Sequence, residues 1–250
     1  MLTYMWALYA REVKRFQKLW MDTILSPVVS MLLYLAVFGV VLGKQTIAGN
    51  SYLSFVYTGL LGMIMVNTSF SNPSFALIIA KNMGNIIDLQ LVPIKSWAIG
   101  IAYALAAITR GLFTGIFATL LTVWFIPGLR VEHPLILIAG AFLTGLQFGM
   151  FGVIFGMWAK NFEALTFVTT FILQPMIFLA GVFYPIANLP KPWNVLSLLN
   201  PLHHNINLFR FGFLNYSDVN PVVSFAVTIG FSTILFLLMQ YFTKKTIRPE

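Results

Sequence analysis

The sequence predicts an all-α membrane protein. Its parts are six transmembrane helices, an N-terminal amphipathic interfacial helix, a short cytoplasmic helix after the second span, and two short re-entrant helices between spans five and six. Three observations predict this. Of 250 residues, 59% are hydrophobic and only 9% charged, whereas soluble domains carry roughly a quarter charged residues. Apolar runs recur at about 20 residues, the length that crosses roughly 30 Å of hydrocarbon. The cations gather at alternate ends of those runs, as Lys and Arg do on the cytoplasmic side of membranes.

The chain reads as one domain over 1–250: an interfacial helix at 4–22, a six-span bundle over 25–242 and a cytoplasmic tail at 243–250. In the N-terminal segment Trp6, Tyr9, Val13, Phe16 and Trp20 share one helical face, and Arg11, Lys14, Arg15 and Lys18 lie roughly opposite. A basic amphipathic helix with tryptophans at both ends is expected to lie in the plane of the inner leaflet, against membrane lipids. The charges follow the first apolar residues and no small-residue cleavage site is present, so the segment does not read as a signal peptide.

The spans are expected near Leu25–Gly43, Leu53–Ala80, Ala98–Ile126, Pro134–Ala159, Ala164–Phe183 and Pro221–Phe242. With both termini inside, the cytoplasmic cations are Arg11, Lys14, Arg15, Lys18, Lys81, Lys95, Lys160, Lys244, Lys245 and Arg248. Lys44, Arg130, Lys191 and Arg210 fall outside. A net charge of +8 on so few charged residues reflects this bias, and a nucleic-acid partner is not expected.

Between spans two and three, "KNMGNIIDLQLVPIKSW" (Lys81–Trp97) is too long for a tight turn. Gly84 and Asn85 read as a helix start and Pro93 as its stop, with Ile86, Leu89 and Leu91 apolar beside Asp88 and Gln90. Such a helix lies either on headgroups or in a partner's groove. Asn67, Thr68, Ser69, Ser71 and Asn72 cluster ahead of Pro73, and Thr169, Thr170 and Gln174 ahead of Pro175. Polar side chains beside a proline satisfy freed backbone groups, join helices or line a pathway.

After the fifth span, Phe183 and Tyr184 reach the outer interface and Pro185 turns the chain. Trp193, Leu196 and Leu199 share a face of one short helix. After Asn200 and Pro201, Leu202, Ile206, Phe209 and Phe213 share a face of a second, with His203, His204, Asn207 and Arg210 on its other faces. These two pieces would cap the outer end of a pathway.

Several function classes are excluded. His203 and His204 are adjacent and point about 100° apart on a helix, so they cannot chelate one ion. HExxH and GxSxG are absent, and none of Glu12, Asp22, Asp88, Glu132, Glu163, Asp218 and Glu250 sits well inside an expected span. Catalysis on this chain is therefore not expected. Ion coupling needs titratable groups at mid-membrane, and Arg110 is the lone charge deep in a span; it faces protein or snorkels to the inner headgroups. "GVVLGK" (Gly39–Lys44) has the wrong spacing for a phosphate loop, so any ATP must be bound by a partner.

Two stretches, "IIDLQLVPIKSWAIG" (Ile86–Gly100) and "FLAGVFYPIANLPKPWNVLSLLNPLHHNINLFR" (Phe178–Arg210), carry a resemblance that covers almost the whole chain. With the amphipathic N-terminus and six spans, the sequence resembles the ABC-2 type permeases, membrane subunits of ATP-binding-cassette exporters. The likeness is greatest to the multidrug and nodulation-factor exporter subgroup. It implies a homodimer in the bacterial inner membrane, paired with two copies of a separate ATPase subunit that binds ATP and Mg, with no cofactor on this chain. It also implies that about Asn82–Val92 is a coupling helix seated in the ATPase through Asn85, Ile86, Asp88, Leu89 and Leu91. Spans two and five would line the route with Asn67, Ser71, Asn72, Thr170 and Gln174. The cargo implied is amphipathic: a drug, a lipid or a lipid-linked glycan. A carrier or channel acting without an ATPase is the alternative, and a membrane-embedded enzyme a distant third.

Overall fold

The computed structural model describes residues 2–47, 49–91, 94–126 and 128–247. The expected helix stop at Val92 and Pro93, and the cytoplasmic Arg248, lie outside these. Apart from a two-residue ladder pairing Thr46 with Ser51 and Ile47 with Asn50, the described residues form helices and turns. Helix α1 is Leu2–Lys18, α2 Ser26–Leu42, α3 Tyr52–Asn82, α4 Ile86–Leu91, α5 Ser96–Thr122 and α6 Pro134–Trp158. Then come α7 Phe162–Val168, α8 Gln174–Leu179, α9 Trp193–Leu199, α10 Pro201–Leu214 and α11 Pro221–Ile247.

Among the described residues, six helical stretches are long and apolar enough to cross a membrane: Met21–Leu42, Tyr52–Asn82, Ser96–Phe125, Pro134–Trp158, Phe162–Leu179 and Pro221–Ile247. Local chemistry sets most of their ends. The Ser51 side chain caps α3 by accepting from the Ser54 amide at 3.2 Å, and Gly84, at φ +75°, turns the chain after α3. Pro134 and Pro201 stand in the first turns of α6 and α10, where a missing N–H costs nothing. The fifth span departs from a plain α-helix. A π-turn at Thr169–Leu173 joins α7 to α8 just before Pro175, and the helix ends at Leu179, four residues short of the expected Phe183. The wider turn absorbs the hydrogen bond that a proline cannot make. The last helix continues to Ile247, well into the segment read as a tail.

Helix α3 is the buried axis of the bundle, packed by α5, α6, α2 and α10, while α2, α7–α8 and α11 keep most of their apolar surface outward. Without a hydrophobic force between helices in lipid, close packing depends on small residues. Gly145, Gly149, Gly152 and Gly156 form that seam on α6. A Cβ on Gly152 would collide with the Phe70 carbonyl of α3, and one on Gly149 would lie 2.9 Å from Ala107 Cβ of α5. Ser74 Oγ donates across the same seam to the Gly152 carbonyl at 3.1 Å.

Candidate functional site

Helix α1 leaves Lys14, Lys18 and much of Arg11 exposed and half-buries Arg15 against the bundle. Its inward stripe is Leu8, Glu12 and Phe16, while Trp6 and Trp20 are exposed. Arg11 donates to the Tyr103 hydroxyl at 2.9 Å, and Arg15 to the backbone oxygen of Asn72 at 3.0 Å. Glu12 holds both cations, with Arg15 at 2.8 Å and Arg11 at 3.4 Å. Burial pushes the Glu12 carboxyl above its usual range despite those two neighbours. The expected basic face is not uniform: Arg11 and Arg15 find partners on α5 and α3, which periodicity alone does not register, while Lys14 and Lys18 stay exposed.

Where α1, the start of the first span, α3 and α5 meet, a cavity of about 380 Å³ opens. Asn67, Ser71 and Asn72 line it, together with Arg15, Asp22, Thr23 and Arg110. Most hydroxyls of this cluster bond back to their own helix, Ser71 to the Asn67 carbonyl at 2.5 Å and Thr68 to the Ile64 carbonyl at 2.8 Å. Asn72 Nδ2 and Arg110 Nε, by contrast, are buried donors with no acceptor. The Arg110 guanidinium has one hydrogen bond, to the Thr23 carbonyl at 3.4 Å.

Asn72 lies twenty residues along α3 from Tyr52, about 30 Å at 1.5 Å per residue, one hydrocarbon thickness from the far end of that helix. The cavity therefore sits in the half of the bundle that also carries α4. Thr170 and Gln174 line none of it: Thr170 is exposed on the outer face of the fifth span and Gln174 half-buried at the start of α8. The five polar residues expected to share one surface fall on two surfaces of the single chain.

Helix α4 is anchored from within. Leu89 is buried among Leu8, Leu77, Ile94 and Ile99 of the same chain. This corrects the expectation that Leu89 faces a partner, because a side chain packed into its own bundle has no surface left to dock. Asn85 and Asp88 are exposed, Ile86 is half-buried, and Leu91 stands free with Ile87 one turn before it and Met83 in the preceding turn. Ile87 and Met83 were missed because the apolar pattern of a six-residue helix does not say which side faces home.

The piece after the fifth span is a packed plug. Helix α9 turns Trp193, Leu196 and Leu199 outward, and only Ser197 is buried along it. Tyr184 and Pro185 are half-buried on the way to it, the Tyr184 hydroxyl donating to the Phe178 carbonyl at 2.6 Å. Asn200 joins the two short helices: its Oδ1 caps α10 at the Leu202 amide (3.0 Å) and its Nδ2 donates to Met176 of α8 at 2.6 Å. Helix α10 is buried on nearly every side, which corrects its reading as amphipathic. Its polar residues are absorbed by α6 and α11. Asn205 donates to Gln147 at 2.6 Å, and Gln147 to the Thr228 carbonyl at 2.7 Å. Asn207 donates to Ser224 at 2.9 Å.

Arg210, counted among the outer cations, is fully buried. It is paired with Asp218 at 3.1 Å, lies 3.7 Å over the Phe55 ring and donates to the Gly181 carbonyl.

Known proteins resemble this sequence over most of its length. Residues 3–214 match the family described as ABC-2 type transporter. Over 234 residues the chain is 34% identical to the inner membrane transport permease YadH of Escherichia coli (strain K12), covering 93% of this chain and 91% of YadH. Nodulation protein J of Rhizobium meliloti (strain 1021) is 26% identical over 253 residues, covering 97% and 94%. Nodulation protein J of Rhizobium leguminosarum bv. viciae is 25% identical over 250 residues, covering 93% and 90%.

Proposed function

The chain belongs to the ABC-2 type transporter family and is the transmembrane permease of such a transporter, lacking an ATPase domain of its own; from that premise we propose that it exports an amphipathic, lipid-like cargo across the bacterial inner membrane. It works as a homodimer with two copies of a separate ATPase subunit, which bind ATP and Mg. The end bearing α1, α4, Lys81, Lys95, Lys160 and Lys244 faces the cytoplasm, in keeping with the bias of cations toward that side.

The observation that carries this reading is the form of α4. It is held to the bundle by Leu89 and offers Ile87, Asp88 and Leu91 to the outside. A helix rooted in the core transmits a push, where a loose loop would dissipate it. The root lies in one buried cluster with Leu77 of α3, and α4 packs on α3 and α11, so motion at α4 reaches the helix that lines the arginine cavity. Closure of the ATPase pair displaces α4, α3 follows, and the cavity on α3 changes its access. The plug of α9 and α10 closes the outer end, and α7–α8, with Thr170 and Gln174, completes the route at the contact between the two copies.

Reconstitution in lipid vesicles tests this. The chain with its co-purifying ATPase is expected to move a fluorescent lipidic cargo only with ATP. Transport of equal rate by the chain alone establishes a carrier instead.

A further inference from the structure

The cavity between α1, α2, α3 and α5 is rich in donors and short of acceptors. Arg15 and Arg110 both line it, and Asn72 Nδ2 and Arg110 Nε are buried N–H groups without an acceptor. The acid nearest in sequence, Glu12, is already shared between Arg11 and Arg15. Asp22 lines the rim but is exposed and forms no ion pair within 4.0 Å among the described residues. Arg110 is half-buried with its Nε wholly enclosed and has no ion pair within 4.0 Å among the described residues; holding a guanidinium so is costly, and an anion that accepts from it and from Asn72 reduces that cost.

Beside the polar Thr23, Asn67, Thr68 and Ser71, the wall has an apolar side made by Phe16, Leu19, Pro27, Phe75 and Ile79. Phe75 is exposed on α3 and Leu19 on the approach to the first span, so the apolar wall continues out to the lipid-facing surface. An occupant that meets both halves has an anionic, acceptor-rich head and a hydrocarbon tail. The position agrees, since Asn72 lies in the half of α3 that leads to α4.

We propose that this cavity binds the phosphodiester headgroup of an anionic lipid drawn sideways from the inner leaflet, with Arg15 and Arg110 on the phosphate and the acyl chains along Phe75 and Ile79. Asn67 and Ser71 border the headgroup and set its size. This deepens the proposed function by naming a lipid class for the site. It rests on the cavity end facing the inner leaflet, and not on docking of α4.

The test is native mass spectrometry of the purified full-length chain in detergent, titrated with phosphatidylglycerol, phosphatidylcholine or sn-glycerol 3-phosphate. Phosphatidylglycerol is expected to bind at least tenfold tighter than phosphatidylcholine, and the tail-free phosphate not at all. Arg110→Gln weakens phosphatidylglycerol binding at least tenfold, Arg110→Lys restores much of it, and Arg130→Gln, outside the cavity, leaves it unchanged. Should Arg110→Gln fail to fold, Ser71→Leu narrows the cavity with both arginines in place and produces the same loss. Equal binding of the two lipids, undiminished binding to Arg110→Gln or Ser71→Leu, or tight binding of glycerol phosphate alone overturns the proposal. No ATPase is used, so failure here leaves the ATPase reading standing, and failure of α4 docking leaves this result standing.

Discussion

Arg210 and Asp218 form an ion pair at 3.1 Å with both side chains almost wholly out of solvent. The left-handed turn at Asn215 folds the chain back so that a residue of α10 meets one eight positions later. Arg210 also donates to the Gly181 carbonyl and covers the Phe55 ring, so one side chain joins the plug, the turn after the fifth span and α3.

Breaking that pair leaves one charge buried and alone. Arg210→Gln or Asp218→Asn is expected to cost about 3–5 kcal/mol. The loss reads as a lower melting temperature of the detergent-solubilised protein. The doubly neutral Arg210→Met with Asp218→Leu is expected to recover more than half of it.

Asn200 ties α10 to α8 through a cap and a second bond to the Met176 carbonyl. Asn200→Ala loses both, about 1–2 kcal/mol for the cap alone. Limited proteolysis between residues 179 and 193 is expected to quicken in this variant.

The α6 seam is sensitive where α11 is not. Gly152→Ala sets a Cβ against the Phe70 carbonyl, an overpacking worth about 1–3 kcal/mol, and lowers the melting temperature. Gly230→Ala, on α11 with open space around it, leaves the melting temperature unchanged.

Helix α4 separates fold from coupling. Leu89→Ala opens a cavity in the permease's own core and costs about 2–5 kcal/mol of stability. Leu91→Asp is exposed and is expected to leave the melting temperature unchanged while co-purification of the ATPase is lost.

The six spans were legible because hydrocarbon imposes a length and a composition on every residue of a run, as at Pro134–Trp158, whose start agrees with the expected residue. Helix ends were less so: the π-turn at Thr169–Leu173 depends on how the chain accommodates Pro175, which hydropathy does not record. The cluster from Asn67 to Asn72 was visible as polar residues in an apolar run, yet its pairing with Arg15 needs α1 folded against α5, from where Arg15 reaches α3. Arg210 and Asp218 carried a signal that was readable afterwards, opposite charges flanking a turn between apolar helices. Counting cations by side concealed it. Leu89 and Ile87 show the limit most plainly, since the opposite faces of a six-residue helix with apolar residues on both are equivalent until the bundle beneath them is known.

The chain has no cysteine, so a single introduced thiol is unique. The most direct test of ATP-driven coupling is disulfide cross-linking of Leu91→Cys to single cysteines placed in the cleft of the co-purifying ATPase. The account predicts a cross-linked permease–ATPase band that arrests cargo movement in vesicles, reversed by reductant. Transport that continues at full rate, with Leu91→Cys never reaching the ATPase from any cleft position, contradicts it.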